Sequence, residues 1–330
     1  MSHTIHDASR EPWYGLGVTT VDGMSTSEML RKASLDWEVM KLPLGQLIPD
    51  GTKDAGFSVN RIGKQWSLTR VSDMRHLSVV GDSYDPTQNS EAIEWFDRFV
   101  RAGGMKMRAF GSVKDGKHVW GLAKVDYSFE LPDDDLVEGH VLLSSPHILG
   151  QGITIKHANI RVIGMNTVVE ALRDANGERV SFRIRHLKKF DDKDRELAQQ
   201  TLLNAKSMTE EFSDKASFLA SRRAQRDEFK EFVCMLTSPK VAATGSARIE
   251  DAGRPAKKIY ETLDMQPGRS LRSSNGTWWG AVNAVFHTVD HVFGRGRDMA
   301  LTNAWFGHRA ALKLKAISVA MQYAEKSKAI

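Results

Sequence analysis

Lys106-Met107-Arg108-Ala109-Phe110-Gly111-Ser112-Val113, a Lys114-Asp115-Gly116-Lys117 connection and His118-Val119-Trp120-Gly121-Leu122-Ala123-Lys124-Val125 read as two strands joined by a tight turn. The Asp115-Gly116 pair tolerates the positive φ that such turns demand, and the flanking runs are rich in β-branched and aromatic residues. An antiparallel sheet is therefore the framework, and further strands follow on both sides. Leu136 to Leu143 and Ile153 to Ile163 lie downstream. Trp37 to Leu42, Gly56 to Val59, Gln65 to Val71 and Leu77 to Val80 lie upstream, with Arg61-Ile62-Gly63-Lys64 expected to close a hairpin between two of them. Val180 to Phe190 reads as one more strand.

Helical spacing interrupts the strands. Ser25-Thr26-Ser27-Glu28 has capping-box spacing and opens a short helix to Ala33. After Asn89-Ser90-Glu91, residues Ala92, Ile93, Trp95, Phe96, Phe99 and Val100 share one helical face that ends at Gly103-Gly104. Asn166 to Arg173 is predicted as a helix, which gives a weak internal echo: Val79-Val80-Gly81 and Val162-Ile163-Gly164 each lead across an asparagine into a helix. From Asp191 the pattern turns helical, over Arg195 to Phe212 and Ser213 to Thr237. Beyond an Ala242 to Pro255 connector come Lys257 to Leu263, Thr277 to Phe293 and Gly307 to Lys328. The expected fold class is α+β, antiparallel sheet units with packed helices followed by a mostly helical C-terminal part. The expected organisation is an N-terminal arm over 1–24, an α+β core over 25–190 and a helical region over 191–330.

The chain has 330 residues, 41% of them hydrophobic, with 8 Trp and 14 Phe, enough apolar volume for a packed core, which excludes wholesale disorder. Its 46 basic and 41 acidic residues leave a net charge of +5, which favours a polyanionic partner only if the excess is gathered on one face. The single cysteine, Cys234, has no partner for an internal disulfide, and no apolar stretch approaches the ~18 residues of a membrane span. A reducing cytoplasm and no membrane contact are expected.

Neither a P-loop nor a dinucleotide fingerprint occurs, so no cofactor is expected; Gly150-Gln151-Gly152 and Gly294-Arg295-Gly296 read as turns. Cys234 lies among Phe232, Met235 and Leu236 and reads as a packed thiol. Asp133-Asp134-Asp135 reads as a solvated loop or a strand-entry turn more than a cation site. His287 and His291 stand at i, i+4 with Asp290 between them and Asn283 one turn earlier, a group that would share a helical face and form an alternative site. A third ligand is missing from the pattern, so no metal is expected.

Basic residues at period two carry more information. Lys106 and Arg108, Lys117 across the turn, and Arg183, Arg185 and Lys188 further on alternate with apolar residues, which predicts strands with one apolar and one positive face. With Trp120 as a stacking platform, and Trp66 and His118 nearby, such a face suits the phosphates and bases of a single strand.

Five phrases in order carry a resemblance. They are Pro12-Trp13-Tyr14-Gly15-Leu16-Gly17; Val79-Val80-Gly81 through Tyr84 to Gln88-Asn89-Ser90-Glu91; Arg161-Val162-Ile163-Gly164-Met165-Asn166-Thr167; Gly276-Thr277-Trp278-Trp279-Gly280-Ala281-Val282-Asn283 with Asp290-His291; and Phe306-Gly307 followed by Ala310-Ala311-Leu312-Lys313-Leu314-Lys315-Ala316. Together they resemble the uncharacterised phage/plasmid-like protein family, domain of unknown function 932. The chain departs from that family's pattern where Tyr14 replaces a histidine, where Gly164-Met165 replaces Cys-Gln, and where Ser145-Pro146-His147-Ile148 only partly matches a His-Asp-Gly run. The resemblance implies a mobile-element protein working in a bacterial cytoplasm and supplies no activity.

The leading expectation is a DNA-metabolism protein of a phage or mobile element, binding single-stranded DNA or annealing strands as a homo-oligomer. The alternatives are an enzyme or host-component antagonist using the His/Asp group, or a structural or host-interaction protein. A non-enzymatic role is the preferred expectation, because no catalytic constellation stands out.

Overall fold

The computed structural model describes residues 11–49, 51, 56–173, 191–243 and 248–329. The strand expected at 180–190, with Arg183, Arg185 and Lys188, lies outside the described residues. The described strands are β1 (Gly17–Thr19), β2 (Val39–Pro49), β3 (Phe57–Arg70), β4 (Arg75–Gly81), β5 (Lys106–Val113), β6 (His118–Leu131), β7 (Asp135–Pro146), β8 (Thr154–Arg161) and β9 (Asn166–Ala171). The helices are α1 (Thr26–Lys32), α2 (Asn89–Ala102), α3 (Asp192–Ala220), α4 (Arg226–Thr237), α5 (Pro239–Ala242), α6 (Gly253–Thr262), α7 (Trp278–His287), α8 (Arg297–Leu301) and α9 (His308–Ala324). Single π-helical turns, Thr288–Val292 and Thr302–Phe306, continue α7 and α8. The fold class is α+β, as the sequence predicts.

The central hairpin forms as read, with Lys114, Asp115 and Gly116 all at positive φ. It sits within a six-stranded antiparallel sheet of order β1-β5-β6-β7-β8-β9, while β2, β3 and β4 make a separate three-stranded sheet. Side chains along β6 and β7 alternate between two cores. Val119, Ala123, Val141 and Leu143 face α1, α2 and the first half of α3; Trp120, Leu122 and Leu142 face the second half of α3 and helices α4, α6, α7 and α9. Helix α2 lies so close to the sheet that a Cβ at Gly121 would stand 2.9 Å from the Phe96 ring.

That double coverage corrects the reading of β5 and β6 as strands with an open positive face. The near-continuous burial of β6, from His118 to Ala123, belongs to a sheet covered on both sides. The segment 166–173 is also corrected, because β9 is a strand. Thr167, Val168 and Val169 are β-branched, and a tight turn with Met165 at φ 49 folds them back onto β8. Without that helix the internal echo disappears. Arg61-Ile62-Gly63-Lys64 is no hairpin either: β3 runs through it, pairing first with the outer half of β2 (Gly45↔Arg61) and then with β4 (Gln65↔Gly81). The segments 195–212 and 213–237 divide differently from the expectation, since α3 continues to Ala220 and α4 restarts after a Gln225 cap whose backbone N–H is met by Glu228.

The hairpin turn ties the two sheets together. Arg70 donates to the Asp115 carbonyl at 3.1 Å and Arg75 pairs with the Asp115 carboxylate at 3.0 Å. Trp37 packs on Gly116, where a Cβ would stand 2.9 Å from the indole.

Candidate functional site

Four of the five phrases that carry the family resemblance converge on one buried polar centre; the Val79 to Glu91 phrase lies elsewhere, with Asn89 bonded to Leu35 and His147. Helix α7 begins at a Thr277 cap whose hydroxyl accepts from the Gly280 N–H at 3.0 Å. Gly280 is needed there because a Cβ would stand 2.0 Å from the Ser274 carbonyl oxygen. The π turn after α7 widens the helix by one residue and carries Asp290 inward, where it is 2% exposed. His287 and His291 stack with ring centroids 4.5 Å apart.

Asp290 is engaged on all sides. Its Oδ1 lies 2.6 Å from Lys313 Nζ of α9, its Oδ2 accepts from the Thr167 N–H of β9 at 2.8 Å, and its backbone carbonyl accepts from the Tyr14 hydroxyl. Lys313 also donates to the Thr167 carbonyl. Tyr14 stands 3.1 Å from His291 Nδ1. One turn up α7, Asn283 accepts from Asn166 Nδ2 at 3.1 Å and donates to the Trp279 carbonyl at 2.9 Å.

A second charge pair, from β7 and β8, packs against the start of the same helix. Arg161 meets Asp135 with contacts of 2.6 and 2.8 Å, and the Asp135 carboxylate also accepts from Ser273 Oγ at 2.7 Å and Trp279 Nε1 at 2.9 Å. Asp135 is thus no part of a solvated aspartate run; it is 0% exposed and fully hydrogen-bonded.

Burial dominates the electrostatics. It raises the Asp290 carboxyl against the pull of Lys313, and lowers the Lys313 ammonium against the pull of Asp290. Burial pushes His287 down to about 4, helped by the neighbouring His291, and pushes His291 down to about 4, so both imidazoles are neutral at pH 7. The Tyr14 phenol is held well above its usual range by burial and by Asp290.

The alternative site residues Asn283, His287, Asp290 and His291 therefore do come together, but as a clasp joining Tyr14, the β8–β9 turn, α7 and α9. Asp290 has both carboxylate oxygens occupied by the protein, and the groups of the centre left buried without a hydrogen-bond partner are Asn166 Oδ1, Arg161 Nη1, His287 Nδ1 and His291 Nε2. Among the described residues no cluster of three His, Cys, Asp or Glu groups could hold a metal. Tyr14, Asp135, Arg161 and Lys313 belong to the centre; the sequence shows Tyr14, Arg161 and Lys313 within the resemblance phrases and Asp135 in an aspartate run, and assigns none of them to the His287/Asp290/His291 group. Lys313 was legible: it shares a helical face with Ala316, Ile317, Ala320 and Ala324, the buried side of α9.

The residues expected to hold DNA are dispersed. Lys106 is exposed at the start of β5, Arg108 faces Glu11 at 3.9 Å, and Lys117 is half-buried beyond the far end of the same strand. Trp120 is 0% exposed between Trp13 and Trp305, at 6.1 and 5.3 Å, so it has no free face for a base.

Cations without intervening acids lie instead along the strands of the small sheet, with Asp82, the residue after β4, accepting from Trp66 Nε1 at 3.0 Å beside them. Strands β2, β3 and β4 contain Lys41, Arg61, Lys64, Arg70 and Arg75 and not one Asp or Glu. Arg70 and Arg75 pair with Asp73 and Asp115 in turns, whereas Arg61 and Lys64 have no ion pair among the described residues. The Arg61 guanidinium lies 4.9 Å and the Lys41 ammonium 5.4 Å from the half-buried Trp66 ring. The outer ribbon of β2 and β3 is exposed on both faces, with Phe57 at 56% and Val59 at 70%.

Comparison with known proteins gives one match: the family model described as Domain of unknown function (DUF932) covers residues 76–311, well over half of the chain. No curated protein and no solved structure matches. Among the described residues no helix is long and apolar enough to cross a membrane.

Proposed function

The chain belongs to the DUF932 family, and we propose that it is a DNA-metabolism protein of a phage or other mobile element, binding single-stranded DNA or annealing strands as a homo-oligomer in a bacterial cytoplasm. The observation that carries this reading is the acid-free sheet β2-β3-β4, with Arg61 and Lys64 exposed and without an ion pair among the described residues, Arg61 lying 4.9 Å from the Trp66 ring. A strand of cations spaced along an exposed ribbon follows a phosphate backbone, and aromatic rings beside it accept bases of any sequence. Annealing requires that base edges stay free, which phosphate contacts allow. The exposed apolar side chains of the same ribbon, Leu47 and Val59 among them, give copies of the chain a surface for association.

Fluorescence anisotropy with labelled single- and double-stranded DNA at two salt concentrations tests the reading. Salt-dependent binding of the single strand, weakened when Arg61 and Lys64 are replaced by alanine, is the expected result. No binding by the wild-type protein at low salt would refute it.

A further inference from the structure

A cavity of about 500 Å3 opens between the start of α6, the loop after the π turn of α7, and α8 and α9. Four cations line it, Arg254, Lys258, Arg295 and Arg309, and no lining residue is acidic. Lys258 has a partner in Glu261 at 3.5 Å; Arg254, Arg295 and Arg309 have no ion pair among the described residues. The loop that presents Arg295 is held by Gly294 and Gly296 at φ 142 and 116, a backbone region L residues rarely adopt. At Gly294 there is no room for a side chain, since a Cβ would stand 3.1 Å from that of Ala300. Gly294 and Arg295, read from sequence as part of an ordinary turn, line the cavity.

Part of the lining is apolar. Phe293 carries the Arg309 guanidinium 4.8 Å above its ring, Val292 and Met299 are 40% and 54% exposed, and Arg309 Nη1 is buried without a hydrogen-bond partner in the protein. A cavity of this size takes a ligand much larger than a phosphate ion. Its lining joins four cations to the apolar Val292, Phe293 and Met299, which suits a ligand that combines several negative charges with a flat apolar group.

We propose that this cavity binds a nucleoside polyphosphate, the phosphates meeting Arg254, Lys258 and Arg295 and the base lying against Phe293 and Met299. Because no carboxylate lines the cavity, nothing there would hold a bridging divalent cation, and binding is metal-independent. The site is built on helices α6, α8 and α9 and shares no residue with the β2-β3-β4 surface, so it stands independently of the DNA-binding reading. The same chemistry occurs in a free nucleotide and in the phosphorylated end of a DNA strand.

Isothermal titration of the full chain at low salt with ATP, GTP, UTP and inorganic pyrophosphate, each in EDTA and in Mg2+, tests the proposal. One-site binding of a nucleoside triphosphate in EDTA is expected, at least about tenfold tighter than pyrophosphate. Arg295→Ala, on an exposed loop, and Met299→Asp, which sets a carboxylate in the cavity, should each weaken it by roughly tenfold or more. Arg61→Ala/Lys64→Ala should leave it unchanged. Competition by a 5′-phosphorylated oligonucleotide, but not by its 5′-hydroxyl counterpart, would assign the site to strand ends; failure of both to compete assigns it to free nucleotide. The proposal is overturned by no binding at millimolar nucleotide, by an absolute requirement for Mg2+, by pyrophosphate binding as tightly as ATP, or by full binding in both cavity variants. Loss in the Arg61→Ala/Lys64→Ala variant would place the nucleotide on the small sheet and overturn it equally.

Discussion

Lys313 Nζ lies 2.6 Å from Asp290 Oδ1 with both side chains buried, 0% and 3% exposed. Twenty-three positions apart in the chain, they join the π turn after α7 to α9, and through the Thr167 N–H and carbonyl they fasten the edge strand β9 to both. Removing the cation alone leaves a carboxylate in an apolar interior. Lys313→Met is therefore expected to cost about 3–5 kcal/mol of unfolding free energy, whereas Lys313→Met with Asp290→Asn should recover much of it. Urea denaturation of the two variants measures this, and equal losses in both would contradict the pairing.

Acid should destabilise the protein before its carboxylates titrate. Burial depresses His118 to about 3 and His140, His147, His287 and His291 to about 4, all below the value of about 6.5 of an unfolded histidine. A group depressed in the folded state contributes stability that is complete above the unfolded value and is lost as pH falls through 6.5 towards the folded value. Each histidine that resists protonation steepens the loss by up to about 1.4 kcal/mol per pH unit across that window. Asp290, raised by burial, acts in the opposite sense but is one group against five. Urea midpoints at pH 7.5, 6 and 5 should fall steadily, and a flat profile would mean that these rings are not buried neutral.

Trp279 is 1% exposed, packs edge-on against Phe212 and donates to Asp135. Trp279→Ala is expected to destabilise the protein by about 3–5 kcal/mol through cavity formation. Trp279→Phe keeps most of the volume and removes the indole donor, so its smaller loss isolates the hydrogen bond to the buried carboxylate. A Trp279→Ala protein that melts as wild type does would show that α7 is not packed as described.

How much of this was readable depends on whether a signal was local. The Asp115-Gly116 hairpin and the Asn89–Ala102 helix carry their turn, cap and periodicity within a few residues, and both formed as expected. The segment from Asn166 failed because its asparagine looked like a cap, while its fate was decided by pairing with β8. A strand flanked by helices on both faces has no free side for cations, but period-two spacing says nothing about what covers each side. Hence Lys106 and Arg108 looked like a binding face, and the acid-free ribbon through Arg61 and Lys64 was broken in two by an imagined turn at Gly63. The His287, Asp290 and His291 group was visible as a helical spacing; its partners Lys313, Thr167 and Tyr14 come from distant segments that only the tertiary structure brings near.

Two pairs of cations now make different claims on DNA. Arg61 and Lys64 are exposed on the small sheet, and neither makes an ion pair among the described residues, so Arg61→Ala/Lys64→Ala should leave thermal melting within about 1 kcal/mol of wild type. Each phosphate contact to a single strand adds about 0.7 to the magnitude of the slope of log affinity against log salt, so loss of both contacts should lower it by about 1.4. The weakening should be alike on all sequences, because phosphate contacts carry no base information. Arg183→Ala/Arg185→Ala, the pair that the sequence singled out outside the described residues, is the control: period two places both on one side of a strand, and the same slope change is expected there only if that strand joins the DNA surface. Anisotropy over a salt series with both variants separates the cases. An unchanged slope in the folded Arg61→Ala/Lys64→Ala protein would remove the small sheet from the binding surface, and a slope lowered only by the Arg183→Ala/Arg185→Ala change would move that surface to the segment between β9 and α3.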